Sequence, residues 1–313
     1  MSVDASNFYQ NLVAAFGEAN AAVVGPTKII ESVYVDYKPE EAALGQTINV
    51  PLPARLTSQV ADIGTGSFTP INPSSTVVAL PFTNHPGISF VVSDFSQYNT
   101  PTDIRKMFLD SCLKGILEYI NQDLGSLFNS TNFNVYGSPI AGSSNEFTTA
   151  NMVTAFGKLA SARIPVRDFG NFFGLFHPLV FANMTNDTTW SANSQIGYQI
   201  AGETRRYGML GEQWGALLDF DPDMPNVTSG SPATTTYTSA IFHRHAVALG
   251  IRPLPIPDTP NVLANNIMLK DIVPVRVMVG YQQQYGGWMI TVDAGYARSV
   301  IRPDHGILGT VSF

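Results

Sequence analysis

The sequence predicts an α+β fold, and three observations support this class. Residues 43–99 contain alternating apolar and polar positions that are typical of strands. They lead into one long helical pattern over residues 100–128, and residues 273–313 alternate again as strands. Because strands and helices do not follow a regular βαβ order, a parallel α/β fold is not expected.

The first 42 residues predict an N-terminal arm rather than a domain. A short helical pattern covers residues 8–16, and residues 32–37 alternate as in an extended strand. Neither pattern is long enough to enclose a core of its own.

Residues 43–99 predict a long two-stranded loop with adjoining strands. Ile48, Val50 and Leu52 share one face of the first strand, and extended runs follow at residues 76–82 and 88–92. Residues 54–75 are polar and contain glycine, which is typical of a loop tip.

Residues 100–128 predict a single long helix, here called the spine helix. Thr100 suits the N-cap, Pro101 the first helical position and Asp103 the first turn. An apolar stripe of roughly 40 Å follows at 1.5 Å per residue. Its members are Ile104, Phe108, Cys112, Ile116, Ile120, Leu124 and Leu127.

The middle of the chain mixes helical and extended patterns. Residues 149–162 predict a helix whose apolar face carries Met152, Val153, Phe156 and Leu159. A second helix is expected at residues 190–200, a strand at 214–220 and a surface loop at 221–236.

The final strands carry the strongest alternation in the chain. The alternating positions are Val273, Val275, Val277, Val279 and Tyr281. Turns at residues 285–287 and 303–306 separate further strands, so we expect one sheet that ties the C-terminus into the fold.

The composition describes a folded chain with little charge. Hydrophobic residues make up 44% and charged residues 13%, and the net charge is −7. Sparse charge indicates either a surface covered by partners or a surface rich in uncharged polar residues. The acidic balance without a basic run argues against a dedicated nucleic-acid binder, but not against a protein that encloses nucleic acid.

Neither a secretory leader nor a membrane-spanning apolar run is evident, so we expect a cytoplasmic protein without a membrane partner. The single cysteine, Cys112, lies on the apolar stripe and is interpreted as a small core residue.

A search for catalytic or metal-binding motifs yields only weak candidates. His243 and His245 would share a face of a strand, but they lack a third ligand, so a structural role is favoured over a metal site. Residues 219–223 resemble the start of a calcium loop. The glycine and glutamate that such a loop requires are replaced by Met224 and Gly230, so a solvated acidic turn is favoured. We therefore predict no cofactor, no metal and no enzymatic activity.

The order of these elements resembles the major capsid proteins of tailed bacteriophages, which have the Hong Kong 97-type capsid fold. The strings that carry the resemblance are IESVY at 30–34, GQTINVPLP at 45–53, HPGISFVVSDF at 85–95 and AIFHRHAVAL at 240–249, followed by Arg252. The resemblance covers nearly the whole chain as an ordered profile.

The resemblance implies a fold with an N-terminal arm (1–42), an extended β-hairpin loop (43–99), a spine helix (100–128), a mainly axial domain (129–272) and C-terminal strands (273–313) that complete the peripheral and axial sheets. Copies would assemble as pentamers and hexamers into an icosahedral shell around double-stranded DNA. A scaffolding protein, a portal and cement or decoration proteins would be partners, and the virion, assembled in the host bacterial cytoplasm, would be its location.

The resemblance also assigns assembly roles to two sets of residues. In the extended loop these are Ile48, Val50, Leu52, Arg55, Phe68, Val77, Leu80 and Phe82. In the axial segment they are Phe242, His243, Arg244, His245 and Arg252.

Three alternatives remain open from the sequence. The first is an encapsulin-like shell that encloses cargo proteins, and the second is another phage structural protein. The third is an enzyme whose site is not visible in the sequence. The long helix counts against a tail tube, because tail tubes consist mainly of sheet.

Overall fold

The structure is a computed structural model that describes residues 27–36, 47–53, 75–94, 104–137, 139–142, 147–166, 168, 170–186, 211–229, 233–257 and 262–312, with isolated positions between 54 and 74. For residues 36, 53, 104–110 and 213 only the backbone is described. The helix predicted at 190–200 and the cap predicted at Thr100 lie outside these residues, as does most of the N-terminal arm.

Four helices and sixteen strands lie within the described residues. The helices are α1 (Lys28–Ser32), α2 (Ile104–Gly125), α3 (Thr149–Ser161) and α4 (Pro178–Asn186). The first strands are β1 (Tyr34–Asp36), β2 (Thr47–Pro53), β3 (Ser75–Pro81), β4 (Gly87–Ser93), β5 (Ile140–Ala141), β6 (Phe172–Phe176), β7 (Gly211–Gln213) and β8 (Ala216–Phe220). The remaining strands are β9 (Asn226–Ser229), β10 (Thr234–His243), β11 (Val247–Arg252), β12 (Val262–Leu269), β13 (Val273–Gln282), β14 (Gly287–Asp293), β15 (Gly295–Val300) and β16 (Gly306–Ser312).

The described strands form four sheets. A seven-stranded sheet has the order β5-β16-β10-β6-β8-β7, with β9 paired to β10. A four-stranded sheet has the order β12-β13-β14-β4, and a three-stranded sheet has the order β1-β11-β15. Strands β2 and β3 form a separate two-stranded sheet. This mixture of helices and mostly antiparallel sheets confirms the predicted α+β class.

The predicted spine helix is α2, and its apolar stripe lies in the largest core. Cys112, Ile116, Ile120 and Leu124 are at most 7% exposed. They pack in one cluster with residues of the four-stranded sheet, including Val275. Burial raises the pKa of the Cys112 thiol, which fits its interpretation as a core residue. Ile104 and Phe108 belong to the first turns of α2, where only the backbone is described.

A second core lies between α3, α4 and the seven-stranded sheet. Thr148 caps α3 by accepting the backbone N–H of Asn151, and Met152, Phe156 and Leu159 face the sheet. Val153 is 52% exposed, so its predicted place on the buried face is wrong. It is one residue after Met152, which rotates it by about 100° away from that face.

Two fully buried polar side chains join the N-terminal segment to the spine helix. Asp221 Oδ2 accepts the backbone N–H groups of Lys28 (2.6 Å) and Ile29 (3.1 Å) at the start of α1. Asn121 Nδ2 donates to Asp221 Oδ1 (2.9 Å), and Asn121 Oδ1 accepts the N–H of Ile30 (3.3 Å). We call Asn121 and Asp221 the polar hub. It satisfies donors of α1 that would otherwise be buried without a partner.

The acidic stretch 219–223 is therefore not the solvated turn that the sequence predicts. Asp221 is fully buried, and burial raises its pKa, while the hydrogen bonds from Asn121 and from backbone N–H groups oppose that shift. Asn121 Nδ2 also donates to Asp223 Oδ2 (2.7 Å). The turn packs so closely on α2 that a Cβ atom at Gly125 would overlap the carbonyl oxygen of Asp223. The donors come from a remote part of the chain, so local sequence could not reveal them.

Residues 221–236 are not a loop throughout, as predicted. They contain β9 and the start of β10, which pair in antiparallel register from Asn226↔Tyr237 to Ser229↔Thr234. The predicted strand at 214–220 begins two residues later, because Trp214 has a φ of 52° in the turn between β7 and β8. Threonine-rich strands are easily mistaken for loops because their side chains are polar on both faces.

The C-terminal strands occupy three sheets rather than one. Strands β13 and β14 pair with each other and with β4, whereas β15 pairs with β11 and β16 pairs with β10. Alternation shows which residues face a core, but it does not identify the neighbouring strand. The expectation that the C-terminus is tied into the fold is confirmed, since β16 lies between β5 and β10.

Candidate functional site

Strands β2 and β3 form a two-stranded arm, which is the most prominent candidate for an interaction surface. Their antiparallel register runs from Thr47↔Pro81 to Pro53↔Ser75. Seven residues at about 3.4 Å each give a ladder of roughly 24 Å. In the described part of the chain neither strand pairs with another sheet. The two outer edges therefore carry backbone groups that can pair or contact another chain.

The base of the arm rests on the three-stranded sheet. Leu80 is 1% exposed and packs against Ala248, Ala297 and Ile301. Partly buried around this cluster are Ile48, Val50, Leu52 and Phe82. The predicted alternation of β2 is confirmed, because its three apolar residues face the body while Thr47 and Asn49 are exposed.

Other residues predicted for the arm face solvent. Val77 is 55% exposed, because it alternates with Val78 and Leu80 on the opposite face of β3. Phe68 is 65% exposed in the connection between the strands, and Arg55 lies outside the described residues. The arm therefore presents large apolar side chains that the subunit itself does not cover.

The segment that follows the arm is tied to the spine helix through Asp123. Asp123 Oδ2 accepts hydrogen bonds from Tyr296 Oη (2.6 Å), from Arg298 Nε (2.6 Å) and from Asn84 Nδ2 (3.2 Å). Burial and the hydrogen bond to the Asp123 carboxylate raise the pKa of Tyr296. These contacts fix the segment that follows β3 to the spine helix. The two strands of the arm take no part in them.

Two histidines of the predicted axial segment form a cluster of three imidazoles with His305. His243 Nδ1 accepts the backbone N–H of His245 (3.3 Å), so Nε2 carries the proton and donates to Asp168 Oδ2 (2.9 Å). The His243 ring lies 5.2 Å from that of His245 and 5.7 Å from that of His305. His245 is in a 3₁₀ turn, not on the strand that the sequence predicts, because β10 ends at His243. The hydrogen bond from His243 lowers the pKa of Asp168.

The other axial residues are mostly internal. Phe242 is fully buried and packs against Phe128 at 4.8 Å between ring centroids. Arg244 donates from Nη2 to the carbonyl oxygen of Glu31 (2.9 Å). These side chains hold the segment in the fold, which agrees with the structural role favoured for the histidines.

Acid sensitivity is expected from this cluster. Burial lowers the pKa of His305, Arg302 and the two neighbouring imidazoles add to the shift, and Asp304 opposes it. Burial also lowers the pKa of His245, and the charges of His243 and Arg302 contribute. The unfolded chain therefore binds these protons first, so stability is present above the ordinary pKa of 6.5 and is lost as the pH falls below it.

We expect the free energy of unfolding to fall below about pH 6.5 by up to about 1.4 kcal/mol per pH unit for His305, whose side chain is 14% exposed. Denaturant titrations between about pH 7.5 and pH 5.5 measure this slope. His305→Gln removes one proton site and should flatten the slope. An unchanged slope in this variant would contradict the assignment.

Arg252 ends β11 beneath the arm, and its guanidinium is buried. Its Cζ atom lies 5.1 Å from the centre of the Phe82 ring. The residue is 8% exposed, and Nε and both Nη atoms have no hydrogen-bond partner. Sequence reasoning placed Arg252 in the axial segment but did not predict its contact with the arm.

No metal-binding cluster is found in the described part of the chain. Groups of three or more His, Cys, Asp or Glu side chains able to hold a metal are absent among these residues. None of the described helices is long and apolar enough to span a membrane.

No protein-family model and no curated protein sequence matches this chain. Solved structures do match it along most of their length. The capsid asymmetric unit of cyanophage Pam1 superposes with a TM-score of 0.63 at 11% identity, over 93% of each chain. The capsid of cyanophage P-SCSP1u gives 0.61 at 12% identity, over 88% of this chain and 85% of that one. The capsid of Ralstonia phage GP4 gives 0.56 at 15% identity, over 90% of each chain.

The chain has the bacteriophage capsid fold. The matches cover 88–93% of this chain and 85–93% of the matched chains, so the likeness is not confined to one motif. The predicted fold class is therefore confirmed.

Proposed function

We propose that this protein is the major capsid protein of a tailed bacteriophage. Its copies assemble as pentamers and hexamers into an icosahedral shell that encloses double-stranded DNA. The observation that carries the proposal is the capsid fold shared with phage capsids over 88–93% of this chain. The protein is structural and not an enzyme in this proposal.

The composition supports a subunit that buries much of its surface in an assembly. Charged residues are only 13% of the chain, about half of the usual roughly 25%. The net charge of −7 suits a shell that surrounds DNA without binding it tightly. Contacts between different surfaces of identical copies must close by symmetry, which a shell of pentamers and hexamers achieves.

In this proposal the arm extends from its own subunit and contacts a neighbouring one. The outward residues Val77 and Phe68 contact a neighbouring copy, whereas Leu80 and the inward residues of β2 hold the arm on its own subunit. Residues 1–42 reach a further neighbour as an N-terminal arm.

By analogy with phage capsid proteins, we assign the remaining regions to the domains of the capsid fold. Residues 129–272 form mainly the axial domain at the capsomer centre. The spine helix and residues 273–313 complete the peripheral and axial parts. A scaffolding protein, a portal and cement or decoration proteins are the expected partners, and assembly takes place in the bacterial cytoplasm.

Negative-stain electron microscopy of the expressed protein tests the proposal. We expect closed shells when the chain is produced with its neighbouring genes. A small oligomer of fixed size without shells under any condition would overturn it. Shells that contain protein cargo, and neighbouring genes without a portal or terminase, would favour the encapsulin-like alternative.

A further inference from the structure

Arg252 carries a buried charge that no carboxylate among the described residues neutralises. Its guanidinium nitrogens have no hydrogen-bond partner, and its only described polar contact is with the face of the Phe82 ring. A cation–π contact offsets only part of the cost of removing a guanidinium from water. A buried guanidinium without a hydrogen-bond partner is stabilised either by an anionic group from outside the subunit or by exposure to water.

The same subunit pairs its neighbouring arginines with carboxylates. Arg276 donates from Nε (3.0 Å) and Nη2 (2.6 Å) to the two oxygens of Asp293. Arg298 forms an ion pair with Asp123 at 2.6 Å. Arg252, in contrast to Arg276 and Arg298, has no carboxylate partner among the described residues.

The position of Arg252 connects it to the arm. Arg252 pairs in register with Gly295 at the end of β11, so the residue directly opposite it on β15 has no side chain. Phe82 and Ile48 lie over Gly250, two residues earlier on the same face. The ring of Phe82 thus covers both positions, and a small shift of the arm base would uncover the guanidinium.

We propose that Arg252 is the receiving half of an ion pair between two copies of this chain. A carboxylate of the neighbouring copy enters at the base of the arm, displaces the Phe82 ring and binds the guanidinium through two hydrogen bonds. The inference rests on the proposed function, because it requires that copies assemble.

Charge and geometry favour a carboxylate of a second copy. The chain has 24 acidic and 17 basic residues, so carboxylates are the abundant anions on its surface. Glu212 and Asp271 are examples of exposed ones. The planar guanidinium binds a carboxylate in a bidentate manner, and a pair desolvated at an interface affects both affinity and register.

The test compares Arg252→Met with Arg276→Met in stability and assembly. Arg252→Met removes an unpaired buried charge, so the unassembled subunit should keep or slightly raise its Tm. Arg276→Met should lower the Tm, because the buried Asp293 carboxylate loses its two hydrogen bonds from the guanidinium and keeps only the contact with His85. The subunit concentration needed for shells should rise about tenfold or more for Arg252→Met. Arg252→Lys should be intermediate, since lysine keeps the charge and loses the bidentate geometry.

Three results would contradict the proposed ion pair. The first is wild-type assembly of Arg252→Met, and the second is a Tm loss in that variant equal to that of Arg276→Met. The third is an assembly defect that disappears when nucleic acid is removed, which would identify phosphate as the anion. Absence of shells from the wild-type protein would instead refute the proposed function.

Discussion

Replacement of Asp221 by alanine is expected to lower the free energy of unfolding by about 3–5 kcal/mol. Asp221 accepts the N–H groups of Lys28, Ile29 and Asp223 and the amide of Asn121. Alanine leaves the three backbone N–H groups without this acceptor, although Asn121 Nδ2 keeps its hydrogen bond to Asp223. Each lost partner of a buried polar group is costly, and the penalties at one site are only partly additive.

The loss should be accompanied by release of the N-terminal segment. The hub fixes α1, and β1 follows directly and pairs with β11 from Tyr34↔Ala248 to Asp36↔Gly250. Limited proteolysis of the variant should therefore cut near residues 27–36 before it cuts elsewhere.

Denaturant unfolding of the unassembled subunit at neutral pH measures the effect. Glu118→Ala on the same helix is the matched control, because its ion pair with Lys114 is exposed and should be worth well under about 1 kcal/mol. Asp221→Asn keeps one acceptor oxygen and should fall between the two. A loss for Asp221→Ala no larger than that of the control would show that the hub does not stabilise the fold.

Shortening of the arm is expected to abolish shell formation while the subunit stays folded. Because Pro53 and Ser75 are paired, residues 54–74 can be replaced by an Asn-Gly turn that closes the hairpin directly. The buried cluster around Leu80 is kept in this variant. A shorter loop also loses less conformational entropy when the hairpin closes, so the Tm should change little. The outward surface that includes Phe68 is removed, so the yield of shells should fall about tenfold or more.

A second variant separates the length of the arm from its chemistry. A glycine-serine loop of equal length keeps the reach of the arm but removes the side chains of residues 54–74. If the apolar side chains bind the neighbour, this variant should also assemble poorly. Size-exclusion chromatography and electron microscopy give the assembled fraction, and normal shells from the shortened arm would refute its role as an intersubunit strap.

Strands and the spine helix could be predicted because their signals are local. The apolar positions of α2 recur at helical spacing, and Ile116 and Ile120 are accordingly buried. The alternation of Val275, Val277 and Val279 likewise matches their burial in β13. The order of these elements was enough to indicate the capsid fold.

Contacts between distant segments could not be predicted from local patterns. The assignment of β14, β15 and β16 to different sheets depends on which strands meet, and alternation contains no such information. One available signal for the polar hub was missed. Asn121 lies four residues after Leu117, which is buried beside the apolar stripe, and a polar residue at such a position predicts a buried hydrogen bond.

Arg252 shows a second kind of feature that the sequence could not predict. Its place in the sequence suggested an axial segment, which stays a prediction, and the structure adds a contact with Phe82 at the base of the arm. The sequence contains no sign that its guanidinium lacks a partner, because that depends on the absence of a carboxylate across the fold.

A cryo-electron microscopy reconstruction of the assembled particle tests the central claim most directly. The account predicts a closed icosahedral shell in which pentamers and hexamers are built from this chain, with each arm lying across a neighbouring copy. A particle without icosahedral closure, or a shell in which every arm folds back on its own subunit, would contradict it.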